Sequence, residues 1–461
     1  PALSISHAHR DQLVTLPLVV LCFRRLGGKL ETAAVAEAMK RRRAAPGQFR
    51  SHAPTLDLLC AILTRNPGVG EIEALGAAMR DAAFPWAAIA ALAKNHLMLP
   101  SLWPALIDKR LVAPIPAALR RFLAERMPSG PGQPRNVFVA LEDAFLANDA
   151  RNKCIQAQAI EVIAALNAAG LEPGVLKGAR LLLAGNSAFM RERCLRDIDL
   201  VVPRAAWPRA EAAIRALGYR GGAGAPDGFH EEASFLREGD AASIDLHIAP
   251  LTLHEPTALP DYLTTDGFWD RSIVAERDGI RFRHLPAGEN LVHAILHTEV
   301  ADLNFAAGDW ALRYLYETAV ISRDPAGAVD WPVLRALDGT AFGLPLNAHL
   351  HAAERLFGAA LPGDPGASLR VRAQFLRCRL NARHPRSIRP INMLLHKLRQ
   401  AMSEWYLRRN GFYKAGSTEH RGMELWRARL RAFGGLFGRY GRQLPRLLSG
   451  DRDSGLPPPR V

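Results

Sequence analysis

Two short stretches, Asp197-Ile198-Asp199-Leu200-Val201-Val202 and Ser243-Ile244-Asp245-Leu246-His247-Ile248, restrict this chain more than any other feature. Side chains two apart on an extended strand share a face, so Asp197 and Asp199 point together while Ile198, Leu200 and Val202 point the other way. The second stretch repeats the phase, with Ser243, Asp245 and His247 on one face and Ile244, Leu246 and Ile248 on the other. If the two strands pair, three carboxylates meet. Such a trio repels itself and loses hydration unless positive charge compensates it. A divalent cation is the simplest compensation, and hard oxygen donors without nearby Cys or paired His favour Mg²⁺ or Mn²⁺.

Upstream, Val175-Leu176-Lys177-Gly178 reads as a short buried strand ending at a glycine, with an apolar helix over 179–184 behind it. Glycine lets backbone N–H groups approach a phosphate, and the helix N-terminus presents its dipole to the same anion. Lys177 adds a mobile positive charge. A Lys-Gly pair before a helix also describes an ordinary turn with a solvated lysine. Its weight comes from the acids downstream.

Taken together, Leu176-Lys177-Gly178, Arg193, Asp197-Ile198-Asp199, Gly218-Tyr219, His230 and Ile244-Asp245-Leu246-His247 resemble the uncharacterised nucleotidyltransferase family of the DNA polymerase beta type superfamily. The similarity covers roughly residues 50 to 330. It implies that Asp197, Asp199 and Asp245 are the catalytic acids and hold the metal, with Lys177, Gly178, Arg193 and His247 toward the nucleotide. In that family Lys-Gly replaces the usual Gly-Ser loop, and an arginine stands four residues before the first acid, as Arg193 does. The chain departs at Arg196, where the family has a small residue. The resemblance also implies Mg²⁺ or Mn²⁺ as cofactor, a nucleoside triphosphate as co-substrate and an unidentified hydroxyl acceptor.

With 461 residues and 49% apolar composition the chain is long enough for two or three packed units. The expected fold class is α+β: a small mixed sheet forming the nucleotidyltransferase core, flanked by N-terminal and C-terminal helical subdomains. The reading divides it into a leader (1–50), a helical subdomain (51–150), the core (151–255), a second helical subdomain (256–365) and an Arg-rich region (366–461). The run 13–23 is apolar but broken by Pro17 and too short to cross a bilayer. Five scattered cysteines without metal-ligand spacing suit reduced thiols, so a cytoplasmic protein without a transmembrane segment is expected.

The net charge of +14 is unevenly placed: from Arg370 onward there are 21 Lys and Arg against 5 Asp and Glu. Such a region follows RNA, an anionic membrane surface or an acidic partner, or is simply a set of solvated helices. Its aromatics, among them Trp405, Tyr406, Phe412, Tyr413 and Trp426, suit base stacking or packing on the body.

A long amphipathic helix is expected over 136–169, ending at Gly170 and backing the sheet. Further helices are expected over 203–217, 286–303 and 309–322. The glycine-rich segment 221–228 lacks the strand-to-helix setting of a dinucleotide or P-loop motif and reads as a hairpin loop. His247 faces with Asp245, either toward a phosphate or acceptor or onto a backbone or carboxylate partner. His96 reads as a core-edge residue. His293 and His297, spaced i, i+4, lack the glutamate of a zincin and read as structural or substrate-facing.

The function expected from these residues is Mg²⁺-dependent transfer of a nucleotidyl group from a nucleoside triphosphate to a hydroxyl of a small molecule, peptide or protein. The alternatives are a phosphotransferase or toxin-like enzyme modifying tRNA or a peptide, and a catalytically inactive nucleotide-binding module.

Overall fold

The structure, a computed structural model, describes residues 55–81, 83–112, 137–184, 188–221, 232–253, 257–324, 329–403, 407 and 421–440. The leader 1–50, the loop 127–132, residues 222–228 of the glycine-rich segment, His230, Trp405, Tyr406, Phe412, Tyr413 and the terminal prolines lie outside these residues.

The N-terminal part carries α1 (Thr55–Leu63), α2 (Val69–Met79), α3 (Trp86–Asn95), α4 (Leu99–Asp108) and the 32-residue α5 (Val137–Ala168). Next come β1 (Gly174–Val175), α6 (Lys177–Ala184), α7 (Ala188–Glu192), β2 (Asp197–Val201), α8 (Trp207–Ala216), β3 (Arg220–Gly221), β4 (Glu232–Leu236) and β5 (Ser243–His247). The chain continues through α9 (Thr265–Arg271), β6 (Ile273–Arg277), β7 (Ile280–His284), α10 (Ala287–Leu296), α11 (Asn304–Ala307), α12 (Leu312–Ile321), α13 (Trp331–Arg335), α14 (Gly343–Phe357) and α15 (Leu369–Arg383). The seven strands form one mixed sheet in the order β3-β4-β5-β2-β1-β7-β6, so the fold is α+β. Strands β2 and β5 run parallel, while β1 is antiparallel to β2 and β4 antiparallel to β5.

The sheet is larger than expected from the sequence because of β6 and β7. They form a hairpin whose two-residue turn, Asp278-Gly279, has both residues at positive φ (49° and 77°). An Asp-Gly turn of this kind matches the twist of the flanking strands, and it is the sequence signal for the hairpin.

One face of the sheet, with Val175, Ile198, Leu200, Ile244 and Leu246, packs on α5, α6 and α8 through Ile155, Val162, Leu182, Trp207 and Ile214. Each fully buried Leu or Ile contributes about 1.5–3 kcal/mol relative to exposure. On the other face, Leu176 and Val201 enter a separate apolar cluster with Leu291 and Ile295 of α10 and Leu346 of α14. Asp197 and Asp199 share that second face with Val201, so the acids emerge where the cluster ends.

Helix α5 is nearly the expected one, and it does more than back the sheet. Its buried amides reach the end of α7 and the loop after it: Asn148 donates to Arg191 O (2.9 Å) and Arg193 O (3.1 Å), and Asn152 to Met190 O (2.6 Å) and Arg193 O (2.8 Å). Gln158 donates to Ala242 O (2.7 Å) and accepts from its N–H (3.2 Å). Loop carbonyls buried beside a sheet need such partners. The result is a fixed approach to both acid-bearing strands.

Helix α10, expected to run on to 303, passes into a π-helical turn at His297–Ala301. Residues 68–78 and 384–454 cluster as a second unit, described through α2, α16 (Pro385–Met402) and α17 (Arg421–Tyr440), with Leu407, Ala428 and Ala432 buried together. Among the described residues Cys60, Cys154, Cys194 and Cys378 are in no disulfide, and no helix is long and apolar enough to cross a membrane.

Candidate active site

The parallel register of β2 and β5 sets Asp199 opposite Asp245 and Asp197 opposite Ser243. Because parity holds along both strands, the three aspartates share one face. Asp199 is buried at 2% exposure, while Asp197 and Asp245 are half-buried. Strand β4 adds Ser234, opposite Asp245, whose hydroxyl donates to Asp245 Oδ1. Ser234 is a residue that the sequence reading missed, although Ala233 and Phe235 on the core side already set it on the acid face.

Lys177 begins α6 in a left-handed backbone conformation (φ 47°). A lysine held there is strained, and such strain persists only where surrounding structure imposes it. Two contacts impose it here. Leu176 N–H donates to Asp199 O (3.1 Å), and Lys177 Nζ donates to Asp199 Oδ1 (2.7 Å). Arg180 N–H bonds back to Leu176 O (3.3 Å), which leaves the first-turn amides of α6 without helical acceptors.

Besides the phosphate approach expected of it, Gly178 makes room for a neighbouring side chain. A Cβ there would run into Arg193 Nη1 and Leu195 Cδ2. Arg193 is 5% exposed, and its Nε donates to Glu317 Oε2 of α12 (2.8 Å), a pair buried on both sides. The guanidinium therefore braces the Lys-Gly corner from within. Gly178→Ala is expected to force Arg193 aside at a cost of about 1–3 kcal/mol. A denaturant titration checks this, and an unchanged midpoint would contradict it.

One residue earlier, Glu192 receives Arg65 Nη2 of the loop after α1 (2.5 Å) and the Tyr316 hydroxyl of α12 (3.1 Å). Burial pushes its carboxyl up to about 7 against the pull of Arg65. This network and the Arg193–Glu317 pair anchor the segment leading into β2 to the helical layer. Glu317 and Tyr316 lie in the helix expected over 309–322, to which the sequence assigned no role.

His247 Nε2 lies 3.2 Å from Asp199 Oδ1, so of the two expectations for it the carboxylate partner is the one observed. Burial alone would raise the Asp199 carboxyl, but the Lys177 ammonium and His247 outweigh it and hold the group well below the usual carboxylate range. The ammonium is itself raised: burial opposes its charge, and Asp199 more than offsets that. Asp245 goes the other way. Burial raises its carboxyl, the Ser234 hydrogen bond works against this, and the charges of Asp199 and Asp197 push it further up. An acid raised mainly by burial, with two neighbouring acids adding to it, is a candidate functional group.

His293 is fully buried and its Nε2 donates to Pro250 O (2.7 Å). Burial, with the nearby His297 and Lys177 charges, drives it down to about 3, so it stays neutral. Its ring centroid is 6.3 Å from that of His297, which turns toward Asp302 (3.4 Å). The pair is not arranged as a chelate.

The donor set of three aspartates suits a hard divalent cation. Lys177 Nζ and His247 Nε2 both engage Asp199 Oδ1, so a cation sharing that oxygen would compete with the ammonium. The short side chain of Asp245, anchored by Ser234, and the half-exposed Asp197 remain accessible to it.

Comparison with known families gives one match: residues 82–358, more than half of the chain, fit the uncharacterised nucleotidyltransferase family. Comparison with curated proteins and with solved structures gives no match. On the extent of that match, the chain belongs to the uncharacterised nucleotidyltransferase family.

Proposed function

We propose that the protein transfers a nucleotidyl group from a nucleoside triphosphate to an acceptor hydroxyl, using Asp197, Asp199 and Asp245 as the acids and Lys177 with the head of α6 as the triphosphate seat. The observation that carries this reading is the alignment of Asp199 with Asp245 on parallel strands, with Lys177 bonded to the same acid. Divalent ions held by the three aspartates would neutralise the triphosphate and lower the pKa of the acceptor hydroxyl.

In this reading the chain's own groups work mainly by position and charge. The acceptor hydroxyl sits at Asp245, which would hold the ion that lowers the hydroxyl pKa or accept its proton, while Ser234 holds the side chain in place. The α-phosphate would lie over the face that Asp197, Asp199 and Asp245 share. The Lys177 ammonium swings from Asp199 to the β- and γ-phosphates, and the first-turn amides of α6 receive their oxygens. His247 keeps Asp199 oriented once Lys177 has left it. Arg193 acts as a positioning residue, holding the corner through Glu317. The acceptor oxygen forms its bond to the α-phosphorus as the bond to the pyrophosphate oxygen breaks, and pyrophosphate leaves with that electron pair.

The test is to incubate the protein with α-labelled nucleoside triphosphates, Mg²⁺ and a host extract. Label on one class of acceptor with stoichiometric pyrophosphate supports the reading, and γ-label transfer would replace it with a phosphotransferase. An RNA acceptor is the second reading, favoured by α17, where Trp426 is 56% exposed with the Arg429 guanidinium 5.8 Å from its ring centroid. Labelled tRNA in the same incubation, lost steeply as salt rises, would select it.

A further inference from the structure

The tightest group of potential cation ligands among the described residues is far along the chain from the three aspartates. His351 and Glu354 sit three apart on α14 and therefore share a helix face, and Asp364 comes from the loop beyond it. One ligand atom from each lies within 4.8 Å of the other two. His351 Nδ1 is 3.8 Å from Glu354 Oε2, too long for a hydrogen bond. It is close to the separation of about 3.4 Å that two donors on one tetrahedral zinc ion would have.

Four further observations indicate that the group is built rather than accidental. His351 Nδ1 is a buried nitrogen without a hydrogen-bond partner, on a side chain only 12% exposed. Buried polar atoms rarely go unpaired, and an absent ion is one reason they do. The loop bearing Asp364 presses directly onto the imidazole at Gly366, where a Cβ would collide with His351 Cε1 and Nδ1. Asp364 Oδ1 accepts from Gly366 N–H (2.8 Å), which fixes the carboxylate while leaving its second oxygen free of that bond. Phe375 of α15 stacks edge-on against the imidazole, with ring centroids 5.3 Å apart, and fixes its plane.

The charge balance agrees with this. Burial and the neighbouring Arg355 and Arg372 lower His351, keeping the imidazole neutral as a ligand must be. Burial and the charge of Asp364 raise Glu354. One neighbouring cation, Arg372, is turned to backbone, its Nε donating to Gly366 O (2.5 Å).

We propose that His351, Glu354 and Asp364 form a second divalent-cation site, with one imidazole and two carboxylates as ligands. The nitrogen ligand favours a first-row transition ion such as Zn²⁺ over Mg²⁺. The bound ion clips the C-terminal turn of α14 to the loop that leads into α15. Its role is structural, in the helical layer that also contains α12 and its Glu317.

The experiment titrates untagged, chelator-treated full-length protein with Zn²⁺ by calorimetry and tracks thermal melting with and without one equivalent. Wild type and an Asp197→Asn/Asp245→Asn variant are both expected to bind one tight equivalent and to melt about 3 °C higher with it. His351→Ala and Asp364→Asn are expected to weaken that binding more than about tenfold and to lose the shift. Asp364→Asn keeps the bond to Gly366 N–H, so it reports on the ligand even if His351→Ala folds poorly. Failure of wild type to bind, unchanged binding in Asp364→Asn, or loss of the equivalent in the Asp197→Asn/Asp245→Asn variant would each overturn the proposal.

Discussion

Asp245→Asn is expected to lower nucleotidyl transfer by about a thousandfold or more and, at the same time, to raise the melting temperature of the metal-free protein at neutral pH. The two effects have one cause. Burial and the charges of Asp199 and Asp197 raise the folded-state pKa of Asp245 above its ordinary value. Between those two values the folded chain holds more protons than the unfolded chain, so stability falls as pH rises through that window. At neutral pH the penalty is fully present, and below the ordinary carboxylate pKa it is absent. Asparagine cannot ionise, still accepts from Ser234 and is nearly the same shape, so it removes the repulsion and little else. Melting curves of both proteins without metal should therefore differ at pH 7.5 and converge near pH 4, while pyrophosphate release is lost. A variant that keeps its turnover, or that melts below wild type at pH 7.5, would count against the role given to this acid.

Lys177→Met has the opposite stability sign. It removes the ammonium bonded to Asp199 at 2.7 Å, in a pair whose side chains are 13% and 3% exposed. Methionine keeps the apolar stem, so the loss is mainly one of charge. Breaking a buried pair from one side costs about 3–5 kcal/mol, and here Asp199 is left with His247 as its remaining partner. Both sides of the pair contribute at neutral pH. The raised lysine stabilises below its ordinary pKa, and the depressed Asp199 stabilises until pH falls well under the usual carboxylate range. In the variant, Mg²⁺ no longer competes with the ammonium, so added Mg²⁺ should restore more stability to Lys177→Met than it adds to wild type. Transfer should still fall by about a hundredfold, since the triphosphate loses its mobile cation. Equal melting temperatures in the absence of metal would contradict this account of Lys177.

Local periodicity is the part of this molecule that the sequence makes legible. Alternation along 197–202 and 243–248 is enough to sort acids from core, because a strand has only two faces and the apolar side has one phase. The 32-residue α5 is equally readable from its periodic pattern and its terminal Gly170. Partners separated by long stretches of chain are not readable. Nothing near Arg193 announces Glu317, 124 residues later, and so its burial beside Gly178 could not be foreseen. The glycine was expected to serve phosphate approach; that the space beside it also holds the Arg193 guanidinium could not be read from the sequence. Asn148, Asn152 and Gln158 look like surface polar residues in a helix until the loop carbonyls they satisfy are in place. The β6–β7 hairpin belongs to another class: its Asp278-Gly279 turn is a local signal, present in the sequence and missed there. By contrast, His351, Glu354 and Asp364 become a group only when the loop after α14 folds back and sets Gly366 against the imidazole.

The central claim, that Asp197, Asp199 and Asp245 act together on a cation and a nucleotide, is tested most directly by counting bound Mn²⁺ by electron paramagnetic resonance, with and without a non-hydrolysable nucleoside triphosphate. The account predicts Mn²⁺ binding to wild type that strengthens with nucleotide, and loss of that nucleotide-dependent fraction in Asp197→Asn/Asp245→Asn at unchanged circular dichroism. The same nucleotide-dependent Mn²⁺ in the variant as in wild type would contradict it.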